Sequence, residues 1–261
     1  MATPFDSAAW HEALGDLVGA TSGRAAAAAL ARAVGVVVDH DGTCLLAFHR
    51  DASPEVLHHT LEPAGARHYL DRYLAGPYLL DPLYQLAIGE RRPRLCRFRD
   101  EQPDRFRSSE YYRQYCERTH LRDEMDFLVE VGPDTTLALV VGRRQRRFSR
   151  AELARLSLIE PVVRAGMQRS WEPDGEGARE ANGEFHRRLT SAFERFGEGV
   201  LTERERQISQ LLLRGHSSKS VARELDIAPG TVMVHKRNLF AKLGISSQYE
   251  LFSLLIDELG R

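Results

Sequence analysis

Residues 201–245 read LTERERQISQLLLRGHSSKSVARELDIAPGTVMVHKRNLFAKLGI, and their pattern decides the fold of the C-terminal part of the chain. Thr202 and Glu205 have the spacing of a capping box, which predicts the start of a helix. Ser217 can cap a second helix. Pro229 suits the first turn of a third helix, where its missing N–H costs nothing. The second and third helices, joined by a tight turn, have the spacing of a helix-turn-helix.

The third helix of this module is expected to enter the major groove of DNA. Val232, Leu239 and Leu243 recur at the spacing of an inward apolar stripe. The intervening side chains face outward, and we expect base contacts from Met233, Val234 and Arg237. Polar side chains flank this face and are expected to contact phosphates: Ser218, Lys219, Thr231, Lys236 and Lys242.

The distribution of charge supports this interpretation. The formal net charge of the 261 residues is −1, which by itself argues against a nucleic-acid partner. Residues 201–261, however, hold nine basic and seven acidic side chains, and they contain every lysine of the chain. The positive charge is therefore concentrated where the pattern predicts contact with DNA.

This C-terminal sequence resembles the LuxR/GerE-type helix-turn-helix. The resemblance covers about 60 residues and rests on Leu201-Thr202, Arg204-Glu205, Gly215, Ser217, Lys219, Ala222, Leu225, Ile227, Thr231-Val232, His235, Asn238 and Lys242-Leu243. The chain departs from the family at Ala228, where a serine usually caps the recognition helix, and at Met233, where a polar residue is usual.

A fourth helix is expected after a capping box formed by Ser247 and Glu250. Its apolar face consists of Leu251, Leu254 and Leu255. The family resemblance implies that this face forms a dimer contact, and the alternative is that it covers the module's own core.

The N-terminal part alternates helix and strand patterns, which predicts an α/β/α sandwich and an α+β chain overall. Asp41-Gly42 suggests a hairpin turn within 36–48. Ser149 and Glu152 form a capping box at the start of a long helix. Helices are expected at 5–18, 23–34, 66–88, 111–118 and 149–171, and strands at 125–131 and 136–141.

These patterns divide the chain into three parts. We expect a ligand-sensing and dimerisation domain over 1–171, a linker over 172–200, and a four-helix DNA-binding domain over 201–261. The linker is predicted because 172–184 is rich in Gly, Glu and Pro and has no apolar period, and a short helix over 185–196 is expected to follow it.

The cellular setting is predicted from composition. Cys44, Cys96 and Cys116 are few and widely spaced, which fits a reducing cytoplasm and argues against a zinc site. The sequence contains no stretch of about 18 apolar residues, so no membrane-spanning helix is predicted. The N-terminal segment MATPFDSAAWHEALGD lacks the basic start of a secretory signal. We expect a cytoplasmic protein without a cofactor.

Two classes of sensor are excluded by motifs. Residues 1–200 contain no lysine, whereas a phosphorylated receiver domain needs one, and no G-x-x-x-x-G-K-[ST] stretch is present for ATP. The segment 69–82 is instead similar to the autoinducer-binding domain of LuxR proteins. The resemblance implies that Tyr69, Tyr73, Tyr78 and Asp81 contact a ligand, and that the Asp81 carboxylate accepts a hydrogen bond from it.

Other residues of the N-terminal part do not decide the chemical class of the ligand. The tryptophan expected in lactone receptors is missing, and Phe98 is a partial replacement. Alternatively, the three tyrosines are packing residues and Asp81 caps a helix. Glu124 and Asp126 alternate along a strand and therefore share one face. If that face lines a pocket, it suits a cationic or polar ligand, because an acyl chain would meet a desolvation cost there; if solvent covers it, these charges carry no function. A GAF-like sandwich with an unidentified ligand is the broader expectation.

The sequence thus predicts a bacterial transcriptional regulator that is not an enzyme. The expected partners are a second copy of the chain, double-stranded DNA with two-fold-related half-sites, a small-molecule effector, and RNA polymerase as a candidate. A constitutive regulator whose N-terminal domain only dimerises or binds a protein is the alternative. An enzymatic site could use His40, Asp41, Cys44, His49, His58 and His59, but no G-x-S-x-G, H-E-x-x-H or glycine-rich loop accompanies them.

Overall fold

A computed structural model of the chain describes residues 3–89, 94–172 and 176–259. The N-terminal part is built on five strands: β1 (Gly42–His49), β2 (Glu55–His59), β3 (Arg94–Arg97), β4 (Asp123–Glu130) and β5 (Thr135–Arg143). Helices precede and follow them: α1 (Ala8–Gly19), α2 (Gly23–Val37), α3 (Pro63–Leu74), α4 (Pro82–Gly89), α5 (Phe98–Glu101) and α6 (Arg150–Ser170).

The strands form one antiparallel sheet in the order β2-β1-β5-β4-β3. Helices cover both faces, which confirms the predicted α/β/α sandwich. On one face α1, α2 and α6 pack together, and the alanine run of α2 lets the helices approach closely because its side chains are small. The other face carries α3, α4 and the segment 98–119.

The capping box at the start of α6 is present as predicted. The Ser149 hydroxyl accepts from Glu152 N at 3.3 Å, and the Glu152 carboxylate accepts from Ser149 N at 2.8 Å. The same carboxylate accepts from the buried Arg143 guanidinium at 2.9 Å, which joins α6 to the end of β5. Hydrogen bonds from Arg146, Arg143 and Ser149 hold the pKa of Glu152 well below its ordinary value.

Three local predictions in the N-terminal part were wrong. The region 36–48 is not a hairpin, because α2 continues through Val37 and a single strand follows Asp41-Gly42. The stretch 66–88 is two helices with a 3-10 turn between them, since Pro77 and Pro82 each start a new element. Residues 111–118 form a π-helical turn, Tyr112–Cys116, and then a 3-10 turn, not an α-helix.

The segment between the two parts is more helical than predicted. Helix α7 spans Glu176–Arg195, so it begins well before the short helix that was expected. The helix formers Glu, Ala and Arg outweigh its two glycines, and its C-terminal half buries Leu189 and Phe193. The division of the chain at 171 and 200 stays a prediction.

The C-terminal module consists of α8 (Glu203–Leu213), α9 (Ser218–Glu224), α10 (Pro229–Leu243) and α11 (Gln248–Leu259). Its starts agree with the predicted caps: the Thr202 and Ser217 hydroxyls accept from the first turns of α8 and α9, and Pro229 begins α10. No side-chain hydrogen bond caps α10 at Ala228. The fully buried core residues are Ile208, Leu212, Val221, Val232, Leu239, Leu251 and Leu255.

Candidate functional site

A cavity of about 440 Å³ lies between the sheet and α3. This volume is within the range of small-molecule sites, roughly 300–1,000 Å³. Apolar side chains form much of its wall: Cys44, Leu46, Leu61, Leu70, Leu83, Leu121 and Val140. Exposed charged residues mark its mouth: Asp41, Glu62, Arg118 and Arg144.

Two glycines on neighbouring strands leave room for the leucine side chains that cover the cavity. Gly42 and Gly142 lie opposite each other on β1 and β5. A Cβ atom at Gly42 would lie 2.9 Å from Leu61 Cδ2, and one at Gly142 would lie 2.8 Å from Leu121 Cδ2. Because these positions lack side chains, Leu61 and Leu121 can lie directly on the sheet and close over the cavity.

Aromatic residues of α3 hold Asp81 at one end of the cavity. The rings of Tyr69 and Tyr73 stack with centroids 6.2 Å apart. The Tyr73 hydroxyl donates to Asp81 Oδ2 at 2.7 Å, and the Leu83 amide donates to Asp81 Oδ1 at 2.9 Å. Burial raises the pKa of Asp81 to about 6, although these two hydrogen bonds favour its ionised form.

Two further carboxyl groups project from β4. Glu124 lines the cavity, and Asp126 follows it on the same face of the strand. Burial and the charge of Asp81 raise the pKa of Glu124 to about 8. Burial and the neighbouring Glu124 raise the pKa of Asp126 well above its ordinary value. The acidic face therefore lies in the interior of the domain, and the solvent-exposed alternative is wrong.

The structure brings most, but not all, of the predicted ligand residues together. Tyr69, Tyr73, Asp81 and Glu124 line the cavity. Phe98 lines a smaller adjoining pocket of about 60 Å³, which shares Tyr69, Asp81 and Glu124 with the cavity. Asp126 lies beside the cavity wall and is absent from its lining.

Tyr78 is the predicted ligand residue that the structure places elsewhere. It is fully buried, and its hydroxyl is hydrogen-bonded to His186 Nδ1 of α7 at 2.8 Å. Its ring packs edge-on against Tyr84, with centroids 5.1 Å apart. Tyr78 thus joins the sensor domain to α7, because Pro77 starts a turn that directs this segment away from the cavity.

Several lining residues were missed at the sequence level. Thr43, Thr60 and Leu121 lie on separate elements and belong to no motif. The glycines Gly42 and Gly142 could have indicated the cavity. They do so only when the strand register that pairs them is known, and the sequence did not reveal that register.

The residues considered for an enzyme form no reactive centre. Burial raises the pKa of the Cys44 thiol to about 12, which makes it a poor nucleophile. His49 Nδ1 lies 3.1 Å from Thr135 Oγ1 in a buried hydrogen bond. In the ranges that the structure covers, no group of three His, Cys, Asp or Glu side chains is arranged to hold a metal ion.

The candidate DNA-reading surface is the outer face of α10. Val232 and Leu239 are buried, as predicted, whereas Met233 and Val234 are 64% and 46% exposed. Arg237 is exposed on the same helix. Large apolar side chains on an otherwise polar surface mark an interaction site, and these three residues are free to contact base edges.

The five side chains that are predicted to contact phosphates differ in their exposure and in their contacts within the protein. Lys219 and Thr231 are exposed, and Ser218 is half-buried at the start of α9. The Lys242 ammonium donates to Glu205 Oε2 at 2.6 Å and is thereby partly neutralised, and its contact with phosphate stays a prediction. Lys236 is half-buried, with its ammonium 5.3 Å from the centre of the Phe240 ring.

The predicted dimer face needs a correction. Leu251 and Leu255 are fully buried inside the module, because α11 packs against α7 and α8. Only Leu254 of the three is exposed, and Tyr249 of the same helix is exposed with it. Leu251 and Leu255 therefore cover the module's own core.

The loop 104–106 of the N-terminal part contacts the C-terminal module. The Asp104 carboxylate accepts from the Ser217 amide at 2.9 Å and from the Ser217 hydroxyl. The Arg105 amide donates to the Gly215 carbonyl at 3.0 Å. A Cβ atom at Gly215, where φ is 92°, would lie 2.7 Å from Phe106 Cα. Gly215 therefore permits both the turn after α8 and the close approach of the loop.

None of the helices in the described ranges has the length and apolar character needed to cross a membrane.

Comparison with known proteins identifies the family. Residues 199–255 match the family described as bacterial regulatory proteins, luxR family. An HTH-type transcriptional regulator described from the exeN 3′ region of Aeromonas salmonicida is 32% identical over 164 residues, which are 58% of this chain and 80% of that protein. The monoamine regulon transcriptional regulator of Klebsiella aerogenes is 25% identical over 189 residues, which are 70% of each chain.

A solved structure is similar to the N-terminal part of the chain. The VqsR LBD domain from Pseudomonas aeruginosa is 32% identical and superposes with a TM-score of 0.56, covering 63% of this chain and 97% of that domain. The predicted resemblance is thus confirmed in both parts of the molecule. The chain is a transcriptional regulator and belongs to the luxR family of bacterial regulatory proteins.

Proposed function

We propose that the chain is a cytoplasmic, homodimeric regulator whose binding to DNA is controlled by a small ligand in the sensor-domain cavity. The observation that carries this proposal is the cavity itself, which combines apolar walls with carboxyl groups at one end. Such a combination is typical of sites that bind and orient a small molecule.

The acidic groups favour a polar or cationic ligand over an acyl-homoserine lactone. An acyl chain placed against Asp81 and Glu124 would desolvate two carboxyl groups without compensating them. The name of the Klebsiella aerogenes relative agrees with this choice, since monoamines are cations at neutral pH.

The path from the cavity to DNA runs through the segment 98–116. Phe98 and Tyr111 line the small pocket that adjoins the cavity. Phe106, between them, packs against Gly215 of the DNA-binding module. A ligand that rearranges this segment would change the contact with the module. Control requires that the ligand bind the DNA-competent state more tightly than the other state.

On DNA, we propose that α10 lies in the major groove with Arg237 on guanine and with Met233 and Val234 against thymine methyl groups. A dimer would place two such helices on half-sites about 34 Å apart. The exposed Leu254 is the part of the predicted dimer face that stays available. RNA polymerase is a candidate partner at the promoter.

The test is a footprint and gel-shift comparison of the wild-type protein with Arg237→Ala. We expect the variant to lose roughly tenfold or more in affinity for its operator, since a bidentate contact contributes about 1–3 kcal/mol of discrimination. Arg155→Ala, an exposed arginine on α6, is the matched control and should bind as the wild type does. Equal binding by Arg237→Ala would contradict the proposed reading helix.

Native mass spectrometry of the purified full-length protein tests the other two parts of the proposal. We expect a dimer and a retained or added small molecule. A monomer on DNA, or a protein whose DNA binding no small molecule changes, would favour a constitutive regulator instead.

A further inference from the structure

Asp81 and Glu124 come from different parts of the chain and line one end of the cavity, and Asp126 lies beside them outside the lining. Asp81 follows the 3-10 turn before α4, and Glu124 and Asp126 alternate on β4. Across the ranges that the structure covers, no ion pair joins any of them to an arginine, lysine or histidine. The three carboxyl groups are therefore without an ion pair among the described residues, and the arginines of the cavity, Arg118 and Arg144, lie at its exposed side.

Asp126 supplies an independent indication that something is missing from this site. Its side chain is fully buried, and neither carboxyl oxygen has a hydrogen-bond partner in the part of the chain that the structure describes. It projects from the face of the sheet that closes the cavity, beside Val140, a lining residue. A buried carboxyl group without a partner is costly, and a cation held at the neighbouring Glu124 would offset part of that cost through its charge.

The chemistry of the cavity limits what this ligand can be. An anion would be repelled by the three acidic groups. A bare metal ion does not fit, because within the described residues no three acidic side chains approach one another closely enough to share it. The leucines and the stacked rings of Tyr69 and Tyr73 suit a hydrocarbon or aromatic body.

We propose that the cavity binds an organic ammonium ion, with its N–H groups directed to Asp81 and Glu124 and its apolar body against the leucine wall. This assignment rests on the proposed function, namely that the cavity is the ligand site of the sensor.

The experiment measures binding of paired probes to the full-length protein by calorimetry and thermal shift. The ammonium probes are hexylammonium and 2-phenylethylammonium. The neutral probes are hexan-1-ol and 2-phenylethanol, which match them in shape, and N-hexanoyl-homoserine lactone represents the acyl class. We expect at least one ammonium probe to bind about tenfold more tightly than its alcohol, because hydrogen bonds to charged groups stabilise by about 1.5–3 kcal/mol.

Glu124→Gln keeps nearly the same shape but cannot ionise to pair with a bound ammonium ion. It should therefore reduce the preference for ammonium over alcohol by about tenfold. Glu117→Gln, an exposed change outside the cavity, is the control and should keep the wild-type preference. Equal binding of ammonium and alcohol probes, or an unchanged preference in Glu124→Gln, would overturn the ammonium assignment.

Failure of this assignment can be distinguished from failure of the proposed function. If the lactone or the alcohols bind and change operator binding while the ammonium probes do not, the ammonium assignment is wrong and the sensor function stands. If no probe of any class binds while the operator is bound normally, the ammonium assignment and the ligand control are both rejected.

Discussion

At the residue scale, burial changes the pKa of the carboxyl groups at the acidic end of the cavity. Asp81, Glu124 and Asp126 would be ordinary ionised side chains on a surface. Inside the sandwich, burial raises the pKa of each of them. Since three neighbouring carboxyl groups cannot all be ionised at little cost, the empty site is less stable at high pH than at low pH.

This leads to a prediction about stability and pH. The folded protein holds protons that the unfolded chain releases near the ordinary pKa values of 3.8 and 4.5. The ligand-free protein should therefore lose stability as pH rises from about 4 to about 8, where Glu124 finally ionises in the folded state. Thermal unfolding of the wild type and Glu124→Gln across this range measures the effect.

In Glu124→Gln we expect the loss between these limits to be smaller by about 1 kcal/mol or more. The buried histidines, whose pKa values burial lowers, titrate in both proteins and cancel in the comparison. Glu117→Gln should keep the wild-type slope. Parallel curves for wild type and Glu124→Gln would show that Glu124 is ionised in the folded protein.

At the element scale, α10 is a helix with an incomplete start. Thr202 and Ser217 cap α8 and α9 through their hydroxyl groups, but Ala228 offers α10 no acceptor. The helix relies on Pro229 in its first turn and on the burial of Val232.

Replacing Ala228 with serine should therefore stabilise the module. The extended backbone of Ala228, with φ −68° and ψ 142°, already suits an N-cap. We expect Ala228→Ser to raise the free energy of unfolding by about 0.5–1 kcal/mol, measured by urea denaturation. Ala241→Ser, on the exposed face of the same helix, is the control and should slightly destabilise it. A loss of stability in Ala228→Ser would contradict the capping argument.

At the scale of the whole molecule, the loop 104–106 connects the two parts. The Asp104 carboxylate occupies the start of α9, next to Ser218 and Lys219, which are predicted to contact phosphates. Burial, and then the charge of the nearby Arg105, lowers the pKa of the Lys236 ammonium. We therefore predict that the N-terminal part and DNA compete for this side of the module.

Asp104→Asn should consequently raise the affinity of the ligand-free protein for its operator severalfold. The substitution removes a negative charge that repels phosphates and weakens the contact with Ser217. Fluorescence anisotropy with labelled operator at fixed salt measures the change. Asp100→Asn removes the same charge from an exposed position nearby and should have little effect. An equal gain in both variants would indicate a general charge effect and not a specific contact.

Several features of the molecule follow from signals between residues a few positions apart. Thr202, Ser217 and Pro229 mark helix starts, and each acts on its own first turn. The alternation along 125–131 predicted a strand for the same reason. The hairpin was mispredicted, and the helix after residue 171 is longer than predicted, because the end of α2 and helix α7 are stabilised by packing against distant segments.

The sequence by itself therefore predicted the helix-turn-helix module and the sandwich class of the N-terminal part, because caps and apolar spacing are local. Only the tertiary structure decided that Glu124 meets Asp81 at a cavity, that Leu251 is internal and that Lys242 pairs with Glu205. Burial and ion pairing depend on contacts between segments far apart in the chain. A local sequence pattern does not reveal which distant segments come together.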